Sequence, residues 1–431
     1  MVGLIDCDNF FCSCERVFRP DLADKPIVVL SNNDGCVVAR SKEVKNMGIR
    51  DCMPYYQLME QYPDAGIVAF SSNYTLYGDM SARVMDVLRA EVPDLVQYSI
   101  DEAFLDLSGL RTDSLDAWGR EVCAKVLRCT GMPVSLGIAP TKTLAKLASR
   151  FAKRYPAYRK CCMIGTDDQR QKALRLVPVG DVWGIGRRTV ASLERCGVHT
   201  AFDFASRPRQ WVRSRYHVTG ERTWSELNGD SVIDVDGLEG VVKKSIMTSR
   251  SFPSMLTALD DLRSHVANYA ARCALKLRRQ ESVCATVSVF IQSNHFREDL
   301  PQYDRSGLHT FLTPTATTGE IVEAATSLLA GIYRSGIHYK RAGVMVAGIS
   351  GADAVQTDLF SYEPERSRKL RDVSSALDII NGRLGADTVV LGAQQYRDKG
   401  ADGKSVKFVN AIRRAMKSPD YSTRLGAFTV G

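Results

Sequence analysis

A chain of 431 residues is long enough for two to four domains, and 45% apolar with 25% charged residues is the composition of ordinary globular protein. No apolar run reaches the length of a membrane span, and no basic stretch leading into an apolar one opens the chain, so neither a membrane protein nor a signal peptide is expected. The net charge of +8 is uneven: residues 1–100 hold 9 Lys/Arg against 14 Asp/Glu, residues 142–222 hold 18 against 6, and residues 243–350 hold 13 against 8, a balance that suggests a polyanion gripped by the later parts of the chain.

The chain begins "MVGLIDCDNFF", a short apolar strand from Val2 to Ile5 that runs into Asp6 and Asp8. Residues 26–38 read as two strands joined by an Asn-Asp-Gly turn. Helical patterning follows at 40–47, 53–61 and 74–91. Residues 95–107 form a second hairpin, and within it "YSIDEAFLDL" sets Asp101 and Glu102 side by side among residues built for burial. An acidic hairpin tip is one reading of that pair, since Asp is common in turns. The other is a cluster with the acids ending the first strand, which a hard divalent cation sharing its shell with substrate phosphates would relieve. A helix near 114–130 and a strand at 134–139 precede a clear helix at 140–156. That helix carries Lys142, Lys146, Arg150 and Lys153 along one side, either as a solvated face or as a grip on phosphate.

From about residue 166 short helices dominate. Residues 177–205 read as two of them joined by the turn Gly184-Ile185-Gly186, followed by Arg187 and Arg188. Such a turn is either a plain helix cap or a place where backbone amides and arginines hold a DNA phosphate without reading sequence. Periodicity lapses around 230–242, a linker. From 243 to 350 the predicted order is strand, helix, strand, strand, helix, strand, the ferredoxin-like βαββαβ pattern. The remainder, 353–431, is charged and mostly helical. Twelve cysteines without CxxC spacing and six histidines speak for reduced thiols in a cytoplasm and against a disulfide framework or structural zinc.

Three blocks, "DCDNFFCSCE" (6–15), "SIDEAFLDLS" (99–108) and "GIAPTKTLAKLAS" (137–149), resemble in sequence and order the signature blocks of the Y-family translesion DNA polymerases. "ARSKEVKNMGI" and the C-terminal "SPDYSTR" narrow the resemblance to the UmuC-like branch, whose members are catalytic subunits of DNA polymerase V, and it spans essentially the whole chain. It implies an α+β multidomain, right-hand polymerase with a palm (1–10 and 74–165), fingers (11–73), a thumb with a helix-hairpin-helix (166–232), a linker (233–242), a ferredoxin-like little finger (243–352) and a C-terminal helical, partner-binding extension (353–431). The implied activity is error-prone synthesis past damaged bases in the SOS response, without proofreading. No second acidic cluster speaks for a nuclease.

Residue by residue, the resemblance makes Asp6, Asp101, Glu102 and the Cys7 carbonyl the ligands of two Mg²⁺ ions, leaving Asp8 and Asp106 structural. Lys45 and Lys153 would bind the triphosphate, Phe10 and Phe11 would line the nucleotide site, and Phe11 would be the steric gate that excludes a 2′-hydroxyl. Many relatives carry Tyr there; the ring is kept. Gly184, Gly186, Arg187 and Arg188 would bind DNA. Gln356, Leu359 and Phe360, in "QTDLF", match a short motif for docking on the sliding clamp, or else pack the C-terminal segment. Implied partners are primer-template DNA, dNTPs, the clamp, a cleaved UmuD-type homodimer and a RecA-type recombinase filament, in a nucleoid-associated cytoplasmic setting. An inactive DNA-binding scaffold, or another two-metal phosphodiester enzyme such as a nuclease or cyclase, is the competing expectation.

Overall fold

The first strand of the chain lies in the middle of the main sheet of the first half. The computed structural model describes residues 1–110, 112, 114–235, 242–353, 355–357, 363–394, 396–397, 406–407, 414–419 and 421. It divides into two units, Met1–Val241 with Arg414–Gly431, and Val242–Arg413.

In the first unit, strand β1 (Val2–Cys7) leads through a left-handed Asn9 into helix α1 (Phe10–Val17). Strands β2 (Ile27–Leu30) and β3 (Val37–Arg40) form the predicted hairpin, followed by α2 (Lys42–Asn46) and α3 (Tyr55–Gln61). The sequence did not signal the four-residue β4 (Val68–Ser71), which pairs parallel with β2. Next come α4 (Tyr74–Arg89), the hairpin of β5 (Asp94–Gln97) and β6 (Glu102–Asp106), α5 (Leu115–Thr130), β7 (Val134–Ala139) and α6 (Lys142–Arg154). A second short strand, β8 (Cys161–Met163), also escaped prediction; α7 (Asp167–Leu176), α8 (Arg187–Glu194), α9 (Ala201–Ala205) and α10 (Arg209–Leu227) complete the unit's helices.

The main sheet has the order β5-β6-β1-β7-β8 and is buried on both faces. Alternate residues divide between two cores: Ile5, Cys7, Ala103, Leu105 and Leu136 face α4 and α5, while Leu4, Phe104 and Ala139 face α6. The α6 side is packed so closely that a Cβ on Gly137 would lie 2.1 Å from both the Ala145 carbonyl oxygen and the Ser149 amide nitrogen. Glycine is what allows the helix backbone to sit on the strand. Glu226, at the end of α10, is fully buried yet satisfied by backbone alone. It accepts the Thr143 amide at 2.9 Å and the Val232 and Ile233 amides at 3.0 Å, tying α10 to the start of α6.

The second unit contains β9 (Ser245–Leu256), α11 (Leu259–Arg279), β10 (Ser282–Ser293), β11 (Asp304–Thr315), α12 (Thr318–Ile332), β12 (Tyr339–Gly351) and α13 (Pro364–Leu384). The βαββαβ order is as expected. Its antiparallel sheet runs β11-β10-β12-β9, so the last strand fills the gap between the first two. Helices α11 and α12 cover one face. The other is open, with Met247 51%, Leu308 66% and Leu312 76% exposed.

The region 353–431, expected as one extension, is divided between the units. Helix α13 is fixed to the second by Arg278, whose guanidinium grips Asp378 through two 2.7 Å hydrogen bonds. Residues 414–419 and 421 belong instead to the first, where Ser71 bridges in parallel to Lys417 at the edge of the β3-β2-β4 sheet.

Candidate active site

Register, more than proximity in sequence, assembles the acids. Asp6 is the Cα partner of Glu102 in the antiparallel β1–β6 pair, so the two side chains leave the sheet on the same face. Asp101 lies in the turn just before β6, and its carbonyl accepts the Cys7 amide at 2.9 Å. The acidic hairpin tip and the acidic strand end are therefore one cluster.

The basic stripe of α6 meets it. Lys153 Nζ is 2.5 Å from Asp6 Oδ1, and Lys146 Nζ, two turns earlier, is 3.3 Å from Glu102 Oε1. Lys146 also lies 4.8 Å from the Tyr98 ring and 5.1 Å from that of Trp183, both within cation–π range. The reading of Lys142 and Lys146 as a solvated face is thus corrected, for Lys142 also donates to the Ile233 carbonyl at 2.7 Å, while Arg150, paired with Asp181 at 2.6 Å, stays exposed. Lys146 was not among the expected site residues. Its seven-residue spacing from Lys153 was the signal available.

Burial pushes the Asp6 carboxyl up to about 6; Lys153 opposes this, while Glu102 and Asp101 add to it. Burial works against the Lys153 ammonium, but Asp6, Asp8 and Asp101 outweigh it and hold the ammonium above its usual range. Asp6, Glu102, Lys146 and Lys153 line an open cleft of about 360 Å³, with Leu4, Arg150 and Trp183 at its walls. As they stand, no three His, Cys, Asp or Glu side chains among the described residues converge as a metal ligand set, and an ammonium supplies the counter-charge at Asp6. The donor chemistry nevertheless fits a hard divalent cation: three clustered carboxylates, all oxygen donors, with two raising the proton affinity of the third.

Asp8 is engaged elsewhere. It accepts the Ser135 hydroxyl at 3.0 Å and pairs with Lys160 at 2.6 Å. Asp106 is exposed and accepts the Ser108 amide and hydroxyl, which hold its carboxyl below the usual range. The Cys7 thiol is buried and pushed up, so this thiol is not a reactive neighbour of the cluster, and no disulfide forms among the described residues.

Phe10 and Phe11 separate sharply. Phe10 is 4% exposed in the core that also holds Ile5, so its expected place in a nucleotide site is corrected: it has no face to offer. Phe11 is half-buried, stacked on Tyr77 with centroids 4.5 Å apart and edge-on to Tyr74. Lys45 donates to the Asn9 side chain at 2.6 Å, beside the same helix start, and burial followed by the Arg40 and Lys153 charges lowers its proton affinity.

Further along, Gly184 holds φ +88°, and Gly186 caps α8 without a side-chain hydrogen bond, so the first-turn amides of α8 have no capping side chain. Arg187 and Arg188 are exposed beside them. A 3₁₀ turn at Val179–Asp181 stands where the first predicted short helix was expected. Gln356 is exposed; Leu359 and Phe360 lie outside the described residues.

Residues 5–150 match the impB/mucB/samB family, and residues 243–359 match that family's C-terminal domain. The chain is 41% identical to Protein UmuC of Salmonella typhimurium strain LT2 over 98% of each chain. It is 38% identical to Protein MucB of Escherichia coli over 98% of this chain and 97% of that one. With DNA polymerase IV of Caulobacter vibrioides it shares 28% over 91% and 93%. Among solved structures, a Y-family DNA polymerase chimera superposes with a TM-score of 0.65 at 20% identity, covering 81% of this chain and 99% of that one, a likeness of fold.

Proposed function

The chain belongs to the impB/mucB/samB family and is a UmuC-like Y-family DNA polymerase, error-prone and translesion in type, and on that premise we propose how its residues divide the work. Asp6, Asp101, Glu102 and the Cys7 carbonyl would hold two Mg²⁺ ions, and the observation that supports this is the Asp6–Glu102 register beside Asp101. Bound there, the ions supply charge stabilisation for the attacking and leaving oxygens of nucleotidyl transfer. Lys153 exchanges its pairing with Asp6 for the incoming triphosphate, and Lys45 joins it; their mutual electrostatic influence supports one shared anion. The Phe11 ring, backed by Tyr77, lies beneath the sugar and leaves no room for a 2′-hydroxyl. The Gly184–Gly186 turn and the exposed Arg187 and Arg188 hold the DNA backbone, a contact suited to phosphate and indifferent to sequence.

The palm comprises 1–10 and 74–165, the fingers 11–73, the thumb 166–232 and the little finger 243–352. Primer-template DNA and dNTPs are the substrates. Gln356, Leu359 and Phe360 dock the sliding clamp, and a cleaved UmuD-type dimer and a recombinase filament act as partners. No described helix is long and apolar enough to cross a membrane.

Primer extension opposite an abasic site, with Mg²⁺ and with or without the clamp, accessory dimer and recombinase filament, tests the reading. Template-directed insertion that needs the metal supports it. Nuclease products, or no insertion under any combination, would overturn it.

A further inference from the structure

Glu15 is a carboxylate that the proposed chemistry does not use, and it is fully buried. One of its oxygens accepts the Tyr77 hydroxyl at 2.8 Å and the Ser418 hydroxyl at 3.2 Å; the other has no partner among the described residues. A buried charge with so few donors depends heavily on each of them. One comes from the ring beneath Phe11, the other from residues far along the chain.

Residues 414–419 and 421 touch each element around that ring. Met416 exchanges two 3.0 Å hydrogen bonds with Ser71, its amide to the Ser71 hydroxyl and its carbonyl from the Ser71 amide, at the end of β4. Asn73, the N-cap of α4, donates to Ser418 Oγ at 3.0 Å, and α4 carries Tyr74 and Tyr77. Tyr421 stacks on Phe18, just past the end of the helix that carries Phe11 and Glu15, with centroids 4.4 Å apart and planes 4° from parallel.

We propose that this C-terminal strap sets the pose of the sugar gate, with Ser418 and Glu15 as positioning residues that fix the Tyr77 ring on which Phe11 stacks. The inference rests on the reading of Phe11 as that gate. Glu15 anchors the Tyr77 hydroxyl, so the ring cannot rotate away beneath Phe11, and Ser418 anchors Glu15. Loosening the strap lets Phe11 recede, which admits a 2′-hydroxyl while the acids and lysines across the cleft keep their geometry.

The test is single-nucleotide insertion of dCTP and of CTP opposite template G by the full chain, read as the ratio of their kcat/KM values. Phe11→Ala should collapse the ratio. Ser418→Ala should lower it about three- to tenfold through a lower KM for CTP, the scale of one weakened hydrogen bond to a buried charge. Tyr77→Phe, which keeps the ring and breaks the same link from the other side, should match it. An unchanged ratio in Ser418→Ala beside a collapsed one in Phe11→Ala would overturn the strap's role and leave the gate standing. Unchanged ratios in both would remove the gate, and the inference with it. Equal losses for both nucleotides would make the strap a brace and refute its role in selection. Should Ser418→Ala fail to fold, Tyr421→Leu, which removes only the stack on Phe18, decides by the same ratio.

Discussion

The two large sheets are both flanked by helices, but one is enclosed and the other half open. In the first unit all six residues of β7 are buried, and helices lie on both faces. In the second, β9 and β11 alternate between a covered side and one where Leu308 and Leu312 meet solvent. An enclosed sheet can carry charge only where its strands end, and there the charges must be compensated. Its acids duly cluster at one end, each beside a lysine, serine or backbone donor. An open sheet has a whole face on which polar groups cost little. It therefore offers a broad face to solvent, while the enclosed one concentrates electrostatic stress at a point.

The strongest way to break this contrast is at that point. Asp101→Asn or Glu102→Gln should lower primer extension more than about a hundredfold while DNA affinity in a gel-shift titration stays within about twofold, because the loss falls on charge stabilisation of the reaction. Next is the packing beneath it. Gly137→Ala would force a methyl to within 2.1 Å of α6 backbone and should cost about 3 kcal/mol or more in denaturant unfolding. Gly307→Ala, on the edge strand of the open sheet, meets only side chains, the end of Leu328 at 3.1 Å and Ile332 at 3.4 Å, and should cost under about 1 kcal/mol.

A pH-dependent effect also separates the units. Burial, followed by the Arg250 charge, lowers His265 on α11 to about 4, below its ordinary 6.5. The unfolded chain then binds more protons between pH 4 and 6.5. Stability from this group is present above pH 6.5 and lost as pH falls towards 4, on the order of 3 kcal/mol at most. Thermal melts from pH 7 to 4.5 should show a shallower decline in His265→Phe. The smallest expected change is at the DNA grip. Arg187→Ala with Arg188→Ala should reduce the slope of log K against log salt by about 1 per lost phosphate contact, equally for all template sequences.

The same contrast governed what could be read from residues alone. The open sheet announces itself by alternation, and its βαββαβ order was legible from 245 to 350. In the enclosed sheet β7 is a short, mostly apolar run with no alternation, VSLGIA between Pro133 and Pro140. The strands β4 and β8, four and three residues long, carry too few side chains for any period to show. The acids Asp6, Asp101 and Glu102 were legible as residue types in blocks, and their convergence was one of two readings, decided only by the β1–β6 register. Lys146 was passed over because a lysine stripe on a helix looks the same whether its neighbour is water or a carboxylate. Glu15 and Ser418 could not have been paired at all, for no local pattern links positions 403 residues apart.

That separation has a consequence for how the molecule is made. Synthesis runs from β1 onward, so the three-stranded sheet ending in β4 emerges long before the residues that close its edge. Until Met416 and Lys417 arrive, β4 presents unpaired backbone groups, the kind of edge on which chains pair with the wrong neighbour. The entire second unit must leave the ribosome in the interval. The unit begun first is thus among the last to be finished, and a chain halted between the end of α6 and residue 414 would carry complete acidic blocks on a body with one seam still open.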